Sequence, residues 1–282
     1  MRKFLIVFCT LLLGSVVFAS EVSVHNLDNG QTVIIKEVRS NPIVTLDTWI
    51  KTGSVNEDDK NNGVSHFLEH LFFKGSTNRA PGEFDKILES KGAITNAATS
   101  KDFTHYYVTI PSNYFELAME LHADMLLNPL VPRKELEKER KVVIEEIAKD
   151  ETNPRNVLYE NLVSMLYTTH PYKRKVIGTR DIISTIPRDE ILEYYNKFYA
   201  PANMITVIVG DVDTEKALEL VKKSFNKEAK KVSNATFEAE KPLTKQARKV
   251  SNLSAQSGYM MIGFRGVKIT NNDSYALDAP IE

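Results

Sequence analysis

Cysteine is nearly absent from this 282-residue chain, the single one being Cys9 close to the N-terminus. That excludes a disulfide framework and, once the N-terminal segment is removed, any cysteine nucleophile or thiolate metal ligand. An excess of either charge is lacking as well. Arg2 and Lys3 are the only charged residues before Ser20, so cleavage after Ala19 takes the 36 basic residues to 34 against 37 acidic ones, a net of −3. No basic stripe suited to nucleic acid remains, and the Lys222-Lys223 and Lys230-Lys231 pairs lie among acidic and polar neighbours, as solvated surface does. Long apolar runs are missing too. Spanning a bilayer takes about 20 apolar residues, and the strongest candidate runs only from Phe4 to Phe18. With Arg2-Lys3 ahead of it and Val17-Phe18-Ala19 behind it, this run reads as a secretory signal over residues 1–19. Cys9 sits in no lipid-attachment pattern. The mature chain is therefore expected to be exported, periplasmic or extracellular, without a membrane anchor.

What the chain does have is His66-Phe67-Leu68-Glu69-His70. At about 100° per residue, Glu69 and His70 fall near −60° and +40° from His66, so two imidazoles and a carboxylate share one side of a helix. Zinc hydrolases need imidazole ligands and a separate carboxylate that accepts a proton from the attacking water, and this His-x-x-Glu-His order is that of inverzincins. Two histidines do not complete such a site, so a third ligand is expected on another element. The run Glu135–Ile147 is strongly helical in composition, with Val142, Val143 and Ile147 marking its buried side. Glu139 and Glu146 are about 700° apart on that helix and share a face, whereas Glu145 turns to solvent. Glu146 is the expected third ligand, and Glu139 a carboxylate hydrogen-bonded to a ligand behind the metal. A His₂Glu set suits zinc best. The remaining histidines, His25, His105, His122 and His170, read as structural, with His122 on the core stripe of an amphipathic helix.

These residues and their flanks resemble the M16 metallopeptidases, the processing-peptidase, insulinase and pitrilysin group. The flanks are Gly63-Val64-Ser65, Leu71-Phe72-Phe73-Lys74-Gly75-Ser76, Asn96-Ala97-Ala98-Thr99, Glu151-Thr152-Asn153-Pro154, His170-Pro171-Tyr172, Ile177-Gly178-Thr179, the stretch from Phe198 to Met204 and Val209-Gly210-Asp211-Val212. The resemblance runs from about residue 23 to residue 278. It implies a zinc endopeptidase with one ion per chain, bound by His66, His70 and Glu146, and a zinc-activated water with Glu69 as general base. It also implies an extended peptide substrate added to a sheet edge, where Asn96 and Ala97 offer main-chain and amide contacts.

A hairpin is expected from Val22 to Ile35 around Asp28-Asn29-Gly30. Another strand follows over 43–50, with strands near 93–98, 104–110 and 204–209. Helices are expected from about Gly63 and near 82–91, 112–127, 132–149, 188–198 and 214–225. Strands and helices without strict alternation point to an α+β fold, a mixed sheet covered by helices on one face. The family's version of it is the LuxS/MPP-like metallohydrolase fold. Residues 20–226 are expected as the zinc-bearing domain and 227–249, charged and containing Pro242, as a linker. Residues 250–282 then resemble the start of a truncated second homologous domain, with a strand over 258–264 that would be sticky unless paired. The family encloses its substrate between two halves, so a second-half domain or partner chain is an expected partner. Alternatives are a catalytically silent zinc- or peptide-binding subunit that scaffolds a partner peptidase, and, less well supported, a non-proteolytic metal hydrolase.

Overall fold

The computed structural model describes residues 21–233 and 236–277. The expected signal segment, 1–19, lies outside the described residues. Six strands, β1 (Ser23–Asn26), β2 (Thr32–Glu37), β3 (Ile43–Ile50), β4 (Ile94–Thr99), β5 (Thr104–Pro111) and β6 (Met204–Gly210), form one sheet in the order β1-β2-β6-β3-β5-β4. All pairs are antiparallel except β2 with β6. Burial alternates along β3 and β5. Val44, Leu46, Thr48 and Ile50 on β3 and Thr104, Tyr106, Val108 and Ile110 on β5 are buried, and the residues between them are partly exposed. Side-chain period two thus gives the sheet one core face.

Among the described residues, eight helices longer than one turn accompany it: α1 (Val64–Phe72), α2 (Glu83–Glu89), α3 (Phe115–Leu127), α4 (Arg133–Thr152), α5 (Pro154–Leu166), α6 (Arg180–Thr185), α7 (Arg188–Phe198) and α8 (Thr214–Ser224). The mixed sheet with its helical layer is the expected α+β class. α1 packs on β4 and β5 and is flanked by α4 and α7. Its Phe67, Leu68, Leu71 and Phe72 are at most 2% exposed, and each such side chain contributes about 1.5–3 kcal/mol through burial. That row fixes which way the other side of the helix points.

Three expectations need correction. α5 and α6 were not anticipated: Pro154 stands at the first position of α5, after an Asn153 side chain that accepts from the Arg155 N–H, where proline is well tolerated. Val142 is exposed rather than buried, because it is rotated about 100° from Val143. The strand over 258–264 does not form. Between Ser224 and Ser274 the described residues contain no helix or strand, since no neighbour offers a ladder. The segment instead runs along α5: Asn161 Nδ2 donates to Ser251 Oγ (3.0 Å), Arg155 lies over Tyr259 (5.8 Å) and Arg265 Nε donates to the Leu166 carbonyl (2.6 Å). Nor does the expected linker hang free. Glu240 accepts hydrogen bonds from the N–H groups of Thr169 (2.6 Å) and His170 (2.7 Å).

Two measurements test this packing. Gly178 (φ +81°) and Gly63 (φ +99°) meet backbone to backbone, and a Cβ on Gly178 would stand 2.4 Å from the Asn62 carbonyl oxygen. Gly178→Ala is expected to lower unfolding free energy by about 2 kcal/mol or more in urea titration; a loss under about 0.5 kcal/mol would refute the contact. His122 is buried with both ring nitrogens unpartnered, and burial holds its pKa down to about 3. The unfolded chain takes up that proton near pH 6.5, the folded chain only near 3, so acidification below 6.5 removes stability. Between pH 7 and 5, His122→Leu should therefore lose about 2 kcal/mol less than the parent.

Candidate metal centre

The buried row of α1 leaves His66 and His70, one turn apart, on the side that faces α4. From α4, Leu136, Val143 and Ile147 enter the core, and Glu139 and Glu146, spaced two turns apart, turn towards the histidines. His70 Nε2 is 3.5 Å and His66 Nε2 is 3.8 Å from Glu146 Oε2. One ligand atom from each of the three residues lies within 4.8 Å of the others. Donors each about 2.1 Å from a tetrahedral ion stand roughly 3.4 Å apart, so the trio fits a small divalent metal. Burial first, and then His70, hold the His66 pKa down to about 4. The imidazole is thus neutral and able to donate a lone pair.

Glu139 is buried behind this cluster. Its Oε2 lies 3.3 Å from His70 Nδ1 and its Oε1 is 3.0 Å from Lys74 Nζ. A proton on Nδ1 donated to Glu139 leaves Nε2 of His70 free to face Glu146. His66 lacks such support: its Nδ1 is buried and unpartnered. Glu69 is not one of the three clustered residues. Thr99 Oγ1, at the end of β4, donates to Glu69 Oε2 at 2.5 Å. Burial raises the Glu69 pKa above the ordinary carboxylate value, opposed chiefly by the Thr99 hydrogen bond and the charge of His70, while Glu146 adds to the rise.

Asn96 and Ala97 lie on β4, which among the described residues has no neighbour on its outer side in the sheet order. Asn96 is exposed, and its Oδ1 accepts from the Ala97 N–H at 2.9 Å. All seven sequence-selected residues thus sit on α1, α4 and β4, at one end of the sheet. The sequence reading missed Thr99 and Lys74 as partners of Glu69 and Glu139. It also missed Glu57, whose buried carboxylate accepts from the N–H groups of Gly63 (2.7 Å) and Ser65 (2.9 Å) at the start of α1. One signal was available: Gly63 precedes the helix and has no side chain to cap it, so an acceptor had to come from elsewhere.

Known protein families resemble this chain over most of its length. The model of insulinase (peptidase family M16) matches residues 32–180, and that of the peptidase M16 inactive domain matches 185–279. The zinc protease PqqE of Helicobacter pylori is 31% identical over 90% of this chain and 58% of its own length. Bovine cytochrome b-c1 complex subunit 1 is 34% identical over 73% of this chain and 43% of its own. The chain thus spans about half the length of the relatives it matches. Among solved structures, a protease from Helicobacter pylori superposes with a TM-score of 0.72 at 31% identity, covering 79% of this chain and 54% of its own. The first half of the periplasmic protease PqqL from Escherichia coli gives 0.72 at 28%, covering 78% and 49%.

Zinc added to the metal-stripped chain is expected to raise its thermal midpoint by roughly 5–10 °C at a hundredfold excess over the dissociation constant. His70→Ala should abolish the rise; an equal rise in both proteins would place the ion elsewhere.

Proposed function

Because the chain belongs to peptidase family M16, we propose that it is a zinc-dependent endopeptidase acting on exported peptides or proteins, with Glu69 as general base. His66, His70 and Glu146 would hold one zinc ion, and Glu139, through His70 Nδ1, would fix the ligand's orientation. The observation that carries this is the meeting of the three ligand atoms within 4.8 Å beside Glu69. Bound zinc would supply the Lewis acidity that polarises the scissile carbonyl and acidifies water.

The chain's own groups do the rest. Glu69 accepts the proton of the attacking water and delivers it to the departing amine nitrogen. Thr99, donating to one oxygen, holds that carboxylate in place. An extended peptide adds to β4 as a seventh strand, its backbone bonding the free edge near Asn96 and Ala97. The Ala97 N–H becomes available when the Asn96 amide swings away, so substrate exchanges one acceptor for another.

Residues 1–19 are proposed as the export signal, and the described residues contain no helix long and apolar enough to cross a membrane. The periplasmic protease named among the similar structures supports the same compartment. Residues 20–226 would form the zinc-bearing domain, 227–249 the linker and 250–282 the opening of a second homologous domain. A complete second half, in cis or from a partner chain, would then enclose the substrate. A second reading, a catalytically silent subunit scaffolding a partner peptidase, is favoured by one finding: a relative at 34% identity is named as a subunit of a complex.

Glu69→Gln separates the two. In the endopeptidase it is expected to keep zinc and lose at least 10³-fold in kcat on a quenched peptide library, with parent activity sensitive to chelator. Near-parental turnover by Glu69→Gln would disprove the general base, and zinc binding without cleavage by the parent, rescued by a partner chain, would favour the subunit.

A further inference from the structure

We propose that Glu57 is a positioning residue for the metal centre, setting the orientation of α1 and with it of His66 by capping the first turn of that helix from outside. The inference rests on the zinc reading above and goes beyond it to a residue that touches neither metal nor substrate.

The cap is needed because the position before the helix is occupied by Gly63. A serine or aspartate there would ordinarily supply the acceptor. No side chain fits: Gly63 has φ +99°, and a Cβ on it would meet the Gly178 Cα and the Ile177 carbonyl oxygen at 2.8 Å. Glu57 fills the gap. Its Oε2 accepts from Gly63 N (2.7 Å) and Asn62 Nδ2 (2.8 Å), and its Oε1 accepts from Ser65 N (2.9 Å). The carboxylate thus spans the turn that contains His66, holding it at two backbone points one residue either side of Val64. Two bonds to N–H groups two residues apart, one to each carboxylate oxygen, restrain the roll of a helix as well as its end.

Glu57 is itself anchored. Its carbonyl oxygen accepts from Arg174 Nη1 at 2.8 Å, and Asn62 Nδ2 donates to the Lys175 carbonyl at 2.9 Å. No lysine or arginine forms an ion pair with the carboxylate among the described residues, and it is 4% exposed. Burial accordingly pushes its pKa up, against the donors from Gly63 and Ser65. An unpaired buried carboxylate is a costly way to cap a helix. It persists here where about half an ångström of ligand displacement would spoil a metal site.

The test uses the full chain, with zinc affinity from competition against a chromogenic chelator and kcat and KM on a peptide substrate. Glu57→Gln keeps the shape but turns an NH₂ against one of the N–H donors. It is expected to weaken zinc binding by roughly tenfold and to lower kcat with little change in KM, while circular dichroism shows a folded protein. Glu57→Asp, which keeps the charge but shortens its reach, carries the same test if the glutamine variant does not fold. Tyr195→Phe is the stability control, since it deletes a buried hydroxyl bonded to the Leu126 and Leu127 carbonyls at 3.1 and 2.8 Å. It should lower the melting midpoint and leave zinc affinity unchanged. Parental zinc affinity in Glu57→Gln, or an equal loss in Tyr195→Phe, overturns the positioning role while the zinc reading stands. Zinc affinity unaffected by His70→Ala would instead remove the zinc reading, and the inference with it.

Discussion

Nine residues of α1 have to satisfy the core and build a metal site at once, and the rest of the molecule is arranged around that double demand. The row Phe67, Leu68, Leu71 and Phe72 is pressed into the sheet and α7, so the helix cannot roll without opening voids in a close-packed interior. The histidines inherit that rigidity. The same constraint reaches α4 through Arg140, which lies over the Phe67 ring at 5.5 Å and donates to the carbonyls of Ile183 and of Ile186 (3.0 Å). Arg140 thereby ties α4 to both α1 and α6, and its neighbour Glu139 and the more distant Glu146 are delivered to the histidines by helical phase alone.

Electrostatics at the site follow from this burial. His66 is kept neutral because it has been taken out of water, and Glu69 is held nearer to neutral pH for the same reason. His70 differs in having Glu139 and, behind it, Lys74, a chain of charge and dipole extending from the cluster to the solvent edge. The two imidazoles are therefore not equivalent: one is oriented by a carboxylate, the other by packing and by the turn of helix it sits in.

Helical phase made most of the site legible in the sequence. His66, His70, Glu139 and Glu146 follow from spacing because an α-helix converts spacing into direction, and strands β1 to β6 follow from short runs of strand-forming residues set off by turn residues. Long-range partners were hidden for a physical reason. Thr99 meets Glu69, and Glu57 meets Ser65, only through the folded path of loops, and no period connects them. The strand read over 258–264 shows the opposite failure. Its apolar residues satisfy the local pattern, but Met260, Ile262 and Phe264 remain exposed, because a strand is a property of a pair and its neighbour has to exist. Helix α5 went unread for a third reason: its start is marked by Asn153 and Pro154, a cap and a first-position proline, rather than by a strong apolar period.

The strand order also bears on the sequence of events during synthesis. β3, β5 and β4 can pair as soon as Pro111 has emerged, and β1 and β2 can form their hairpin earlier still. The two groups share no edge until β6, between β2 and β3 in space but the last of the described strands, joins them. At about 5–20 residues per second, the stretch from β3 to β6 takes on the order of ten to thirty seconds to make. Throughout that interval β2 and β3 each present an open side, a period in which a passing chain could pair with them. A nascent molecule is thus two half-sheets waiting for one strand, and whatever shields or threads it during that wait acts before the core can close.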